Sequence, residues 1–87
     1  NIPIFKRALE VAEASPEDCL MIGDSLKDDI GGATNAGIEG IFLTSMFGKV
    51  KTLTKKKLNN KDYFETGNVI AALEYYQREY IILAALA

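Results

Sequence analysis

Four consecutive apolar residues, Cys19-Leu20-Met21-Ile22, break into Gly23-Asp24-Ser25, and a second acidic pair, Asp28-Asp29, opens a helix-like stretch. A short bulky apolar run bounded by turn signals is the pattern of a strand buried on both faces, as in parallel sheets. Parallel neighbours need a crossover. Gly40-Ile41-Phe42-Leu43 reads as the next strand, after a helix in which Ile30, Ala33 and Thr34 share one face and Gly37 is a left-handed stop. Gly31, Gly32 and Ala33 let that helix pack closely on a sheet. The chain is therefore expected to be α/β, built around one βαβ unit.

In open α/β sheets, ligands gather just past the carboxyl ends of the strands. Gly23 allows the backbone to turn where a side chain would clash, and Asp24 then offers a carboxylate to the crevice. Mg2+ is held by one or two carboxylates together with water and phosphate oxygens, a charge that Asp24 and Asp29 would supply. The same residues admit a plainer reading, in which Asp28 or Asp29 caps the following helix at its positive end. Spacing alone leaves both readings open.

The stretch from Pro3 to Leu43 resembles the C-terminal part of haloacid dehalogenase (HAD) superfamily phosphohydrolases. Its centre, Gly23-Asp24-Ser25-Leu26-Lys27-Asp28-Asp29-Ile30-Gly31-Gly32-Ala33, is similar to that family's last acidic motif, a Gly-Asp with a second Asp five residues later. Ile4-Phe5-Lys6-Arg7-Ala8-Leu9 resembles the preceding helix, and Asn35-Ala36-Gly37-Ile38 the end of the following one. The resemblance implies a partial HAD-like Rossmannoid three-layer sandwich, a short parallel sheet with flanking helices. It implies Mg2+ as cofactor, with Asp24 a metal ligand and Asp29 supporting the metal site or orienting the family's lysine. Ser25 matches a variable position and receives no catalytic role, and Asp28 stands where relatives often have Asn.

Most of that family's catalytic set has no counterpart between Asn1 and Ala87. Its nucleophile is an Asp followed two residues later by another, a pattern this sequence lacks. By the same resemblance, its Ser or Thr phosphate-binding motif lies upstream, and its lysine, usually in a Lys-Pro pair, falls just before Asn1. Lys6 is not that residue. Phosphoryl transfer through an aspartyl-phosphate needs an in-line carboxylate and cations that neutralise the equatorial oxygens. The expectation is thus the C-terminal half of a phosphatase for a small phosphorylated metabolite, inactive alone, with no catalytic residue of its own and the missing N-terminal half as its partner. The alternative is a non-catalytic fragment serving as a binding or assembly module. A receiver-like signalling domain is weaker, because no phospho-accepting Asp is evident on another strand.

Eighty-seven residues bury only one small core, which leaves little margin over chain entropy. A two- or three-stranded sheet would expose edges and invite self-association. The net charge of −2 is too small to suggest a nucleic-acid or strongly acidic partner, and none is expected, although Lys49, Lys51, Lys55, Lys56, Lys57 and Lys61 cluster in one segment. Lacking interleaved aromatics or arginines, that cluster reads as a solvated loop. There is no His, which removes the usual zinc ligand and acid-base residue. Cys19, the single cysteine, reads as a buried inert thiol and fits a reducing, cytoplasmic setting. The tail Ile81 to Ala87 is far short of the roughly 20 apolar residues that span a bilayer.

One partial domain, residues 1–87, is expected in three stretches: a motif-bearing αβαβ segment over 1–43, a Lys-rich loop over 44–61, and a strand-helix unit with an apolar tail over 62–87. The first helix starts at Asn1 and Pro3, carries Ile4, Phe5, Ala8, Leu9, Val11 and Ala12 on its apolar stripe, and ends at Ser15-Pro16. Asp62-Tyr63-Phe64 reads as a short edge strand. Val69, Ile70, Leu73, Tyr76 and Tyr80 follow helical spacing and predict a last helix from about Asn68 to Leu83. For Tyr80 to Ala87 three roles stay open: packing on the sheet, mediating a dimer, or an altered chain end.

Overall fold

The computed structural model of the chain describes residues 7, 9–11, 13–75 and 81–85. Among these residues five strands form one sheet: β1 (Cys19–Gly23), β2 (Glu39–Leu43), β3 (Thr54–Leu58), β4 (Lys61–Thr66) and β5 (Ile81–Ala85), in the spatial order β3-β4-β2-β1-β5. Two short helices that follow β1 and β4 are α1 (Gly31–Asn35) and α2 (Val69–Tyr75). β1 pairs in parallel with β2 and with β5, and β2 in parallel with β4. Of the five, only β3 runs antiparallel, against β4.

The apolar run becomes a central strand because every one of its residues can be buried. Cys19 and Met21 face one way and pack with Ala33 of α1, Ile38 and the partly buried Leu9. Leu20 and Ile22 face the other way and pack with Ile41, Leu43 and Ala72 of α2. Helical segments thus lie on both faces, which makes three layers. Each fully buried aliphatic side chain contributes about 1.5–3 kcal/mol, so the core is centred on β1 and its neighbour β2. Gly40 is where α1's approach meets the sheet: a Cβ there would come within 3.1 Å of Ile30. Gly37 adopts φ +81° and stops α1 as expected.

Several expectations need correction. Residues 7 and 9–11 are helical, but Val11 is 71% exposed and lies off the apolar stripe. That helix ends at Glu13, with φ 54°, where the Ala14 N–H donates to the Leu9 carbonyl at 3.1 Å, before Ser15-Pro16 is reached. Ile4, Phe5, Ala8 and Ala12 lie outside the described residues.

The stretch 44–61 is not all loop. Lys55, Lys56 and Lys57 build the edge strand β3, joined to β4 by Asn59 and Asn60, both at positive φ (51° and 65°), the geometry of a type I′ hairpin turn. Lys55 and Lys57 pair with Asp62, and Lys56 with Glu65, at 3.1–3.4 Å. β3 shields β4, so Asp62-Tyr63-Phe64 lies in an interior strand rather than at an edge. An edge of lysines also discourages pairing with other chains.

The helix expected over 68–83 gives way by Ile81, where β5 begins. Its buried face is Ala71 and Ala72, while Ile70 and Leu73 are more than 40% exposed. Small alanines let α2 sit close to the sheet and turn the bulkier residues outward. Tyr76 and Tyr80 lie outside the described residues. Of the roles open for the tail, residues 81–85 take the first and join the sheet.

Candidate functional site

β1 delivers Gly23 and Asp24 to the carboxyl end of the parallel strands, and Asp24 is exposed there. The chain then enters one π-helical turn, Leu26–Ile30, before α1: the Ile30 N–H donates to the Ser25 carbonyl at 3.2 Å. Single wide turns of this kind are frequent at functional sites.

Two reciprocal hydrogen bonds fix this loop. Ser25 is the helix cap, its Oγ accepting the Asp28 N–H at 3.1 Å. Asp29 reaches back, its Oδ2 accepting the Ser25 N–H at 3.1 Å. This is the logic of a capping box, with the acid one position later than usual because the turn is wide. The plainer alternative is therefore realised in altered form. Ser25 does the capping, and Asp29 satisfies the cap residue's own N–H with one carboxylate oxygen.

Gly23 makes this possible for a reason other than positive φ. A Cβ at Gly23 would lie 2.5 Å from Asp29 Oδ2, 2.6 Å from its Cβ and 2.8 Å from its Cγ. The Asp29 side chain occupies the space that any other residue at 23 would fill.

Sequence reasoning passed over Ser25, although the signal was present: Ser-x-x-Asp before a helix is a capping-box pattern. The candidate residues Asp24 and Asp29 are thus placed on one tight loop, Asp24 exposed and Asp29 half-buried. Among the described residues no three His, Cys, Asp or Glu side chains group as a metal cluster. The donor set offered is one or two carboxylates, which suits Mg2+ completed by water and phosphate oxygens better than a cation needing a full protein cage.

Cys19, at the far end of β1, is buried and free, and burial, aided by the Asp18 charge, pushes its thiol pKa up. That environment is opposite to what a nucleophilic thiolate needs. At the same carboxyl end as Asp24, the loop after β2 is stitched to the loop after β4. The Gly48 N–H donates to the Gly67 carbonyl and the Val69 N–H to the Met46 carbonyl, both at 2.7 Å. Asn68 Nδ2 donates to the Gly48 carbonyl at 2.8 Å.

With this geometry in view, the HAD-hydrolase-like family model matches residues 1–67. The chain belongs to the HAD-like hydrolase family. It is 41% identical over 59 residues to haloacid dehalogenase-like hydrolase domain-containing protein 2 of Mus musculus, covering 68% of this chain and 22% of that protein. It is 36% identical over 76 residues to glyceraldehyde 3-phosphate phosphatase of Pyrococcus furiosus, covering 87% of this chain and 30% of that one. A phospholysine phosphohistidine inorganic pyrophosphate phosphatase of Xenopus laevis is 46% identical over 39 residues, 45% of this chain and 14% of that protein. The chain thus spans less than a third of each of these relatives. No solved structure matches it significantly.

Proposed function

We propose that this HAD-family chain is the C-terminal part of a Mg2+-dependent phosphatase that acts on a small phosphorylated metabolite through an aspartyl-phosphate. The observation that carries the reading is the placement of Asp24, exposed at the carboxyl end of a fully buried parallel strand, on a loop held by Asp29. Bound Mg2+ would supply positive charge to the phosphoryl oxygens. Asp24 would hold the metal. Asp29, with Oδ2 committed to the Ser25 N–H, would keep the Gly23-Asp24 turn in one conformation and hold its other oxygen toward the site. A loop that needs no reorganisation when substrate arrives is the usual way that such sites gain rate.

The nucleophilic Asp, the phosphate-binding Ser or Thr and the catalytic Lys belong, in this proposal, to an N-terminal half outside the chain. That half and the phosphorylated substrate are the proposed partners; a nucleic acid is not among them. The names of the phosphatase relatives favour a phosphate monoester as substrate class. A cytoplasmic setting is part of the proposal, supported by the free buried thiol of Cys19. Among the described residues no helix is long and apolar enough to cross a membrane.

The test has two arms. The chain alone, titrated with Mg2+ by NMR, should show weak binding centred on residues 23–29, reduced at least tenfold in Asp24→Ala. It should not hydrolyse p-nitrophenyl phosphate, whereas a version extended upstream to include an Asp-x-Asp strand should do so only with Mg2+ and with Asp24 intact. Turnover by the chain alone that vanishes in Asp24→Ala would show that the catalytic set is not split in this way.

A further inference from the structure

Leu58, the last residue of β3, comes up against the start of α1. A Cβ on Gly31 would lie 3.7 Å from Leu58 Cδ2 and 3.5 Å from the Leu26 carbonyl oxygen. Between α1 and the β3-β4 hairpin this leaves a cavity of about 380 Å3, walled by Leu26, Lys27, Gly31, Asn35, Leu58 and Asn59. Small-molecule pockets occupy about 300–1,000 Å3. Asp24 and Asp29 are not in its wall, so the phosphatase reading gives this space no role.

Gly31 keeps the cavity open. Its φ of −60° and ψ of −44° are ordinary helical values that any residue adopts, so the backbone there does not require glycine. The neighbours of its missing Cβ stand at normal contact distance, so close packing does not require it either. Glycine within a helix is costly relative to alanine. What the absent side chain provides is room between Leu26 and Leu58.

The wall is chemically one-sided. Lys27 brings an ammonium group and no carboxylate lines the cavity with it, while the ion pairs among the described residues use Arg7, Lys55, Lys56 and Lys57 instead. Asn35 and Asn59 bring amides that can donate to oxygen. Leu26 and Leu58, both half-buried, bring apolar surface. One ammonium balances a singly charged ligand, whereas a phosphate dianion is better met by bidentate arginine or several cations. A second cavity of about 380 Å3 has Glu39 and Asp62 against Lys61 in its wall, an excess of acid that opposes the same ligand.

We propose that the cavity between α1 and the β3-β4 hairpin is a binding site for a small organic carboxylate. The carboxylate group is held by Lys27 with the amides of Asn35 and Asn59, and the apolar body fills the room that Gly31 leaves between Leu26 and Leu58. The site needs neither Mg2+ nor turnover, so it stands or falls independently of the phosphatase reading.

The probe is phenylacetate, titrated without Mg2+ into the chain labelled for NMR. Saturable shifts are expected at residues 26, 27, 31, 35, 58 and 59, and none at residues 37–39 beside the second cavity. Lys27→Gln should weaken binding about fivefold. Gly31→Leu, which the helical backbone accepts, should fill the cavity and weaken binding by at least about tenfold while the spectrum stays dispersed. Should leucine disturb the fold, Gly31→Ala gives the smaller form of the same loss. Neutral phenylacetamide and inorganic phosphate should bind more weakly than phenylacetate. Equal binding of phenylacetamide would overturn the role of Lys27, and equal binding of phosphate would overturn the organic carboxylate. Absence of saturable shifts in the unaltered chain, or binding undiminished in a folded Gly31→Leu chain, would overturn the site itself.

Discussion

Replacing Gly23 with alanine tests the central loop more directly than any change to its acids. The added Cβ would sit 2.5–2.8 Å from three atoms of the Asp29 side chain, far inside van der Waals contact. Two responses are available. Asp29 can stay, and the overpacking costs about 1–3 kcal/mol; or its carboxylate can swing away, and the bond to the Ser25 N–H is lost, a charged hydrogen bond valued at about 1.5–3 kcal/mol. Either route relieves the other, so the costs do not add fully and the expected loss is about 2–3 kcal/mol.

A chain of 87 residues has a total stability on the order of 4–13 kcal/mol, so this is a large share of it. With a urea slope of about 1 kcal/mol per M for a small domain, the unfolding midpoint should fall by about 2–3 M, read by circular dichroism. The rescue pattern is diagnostic. Because the Cβ of Asp29 is itself within 2.6 Å, Asp29→Ala should not restore tolerance of the added methyl at position 23, whereas Asp29→Gly should, with a coupling energy of about 1 kcal/mol or more in the double-mutant cycle. A Gly23→Ala chain within about 0.5 kcal/mol of the parent would refute the reasoning, and so would full rescue by Asp29→Ala.

Two further outcomes follow from the structure. Asn68 is 5% exposed, caps α2 by accepting the Ala71 N–H at 3.0 Å, and donates to the Gly48 carbonyl. Asn68→Ala should therefore cost about 2 kcal/mol, by cap loss and an unpaired carbonyl together, and speed hydrogen exchange across residues 44–50. Asn68→Asp, which keeps the cap and loses the donor, should recover about half of that. In the β3-β4 hairpin, Lys57 first and then Lys55 hold the Asp62 carboxyl below its ordinary 3.8. A depressed folded pKa gives stability that is present above the unfolded value and lost as pH falls through the folded one. The hairpin should weaken below about pH 4, and NMR titration should give Asp62 a midpoint under 3.8 that Lys57→Ala raises. A midpoint at or above 3.8 in the parent would count against the pairing.

The sequence alone determined the segment from Cys19 to Leu43, and with it the position of the candidate site. Each signal there is local: an unbroken apolar run for a strand buried on both faces, a glycine at its end where the Asp29 side chain needs the room, Gly37 where φ becomes positive. Ser25 belonged to the same local record and was legible as a cap. What only the tertiary structure decided concerns partners. Lys55-Lys56-Lys57 carries no apolar alternation, so nothing local marks it as a strand, and β3 exists because β4 offers backbone groups and acids opposite it. Which face of α2 is buried depended on how near the helix comes to the sheet, a distance set by Ala72 against β1 and β2. The tail became β5 because β1 had an edge to satisfy, a demand created more than fifty residues away. Hydrogen-bond pairing between strands is non-local, and periodicity within a segment cannot say which edge in the fold that segment will meet.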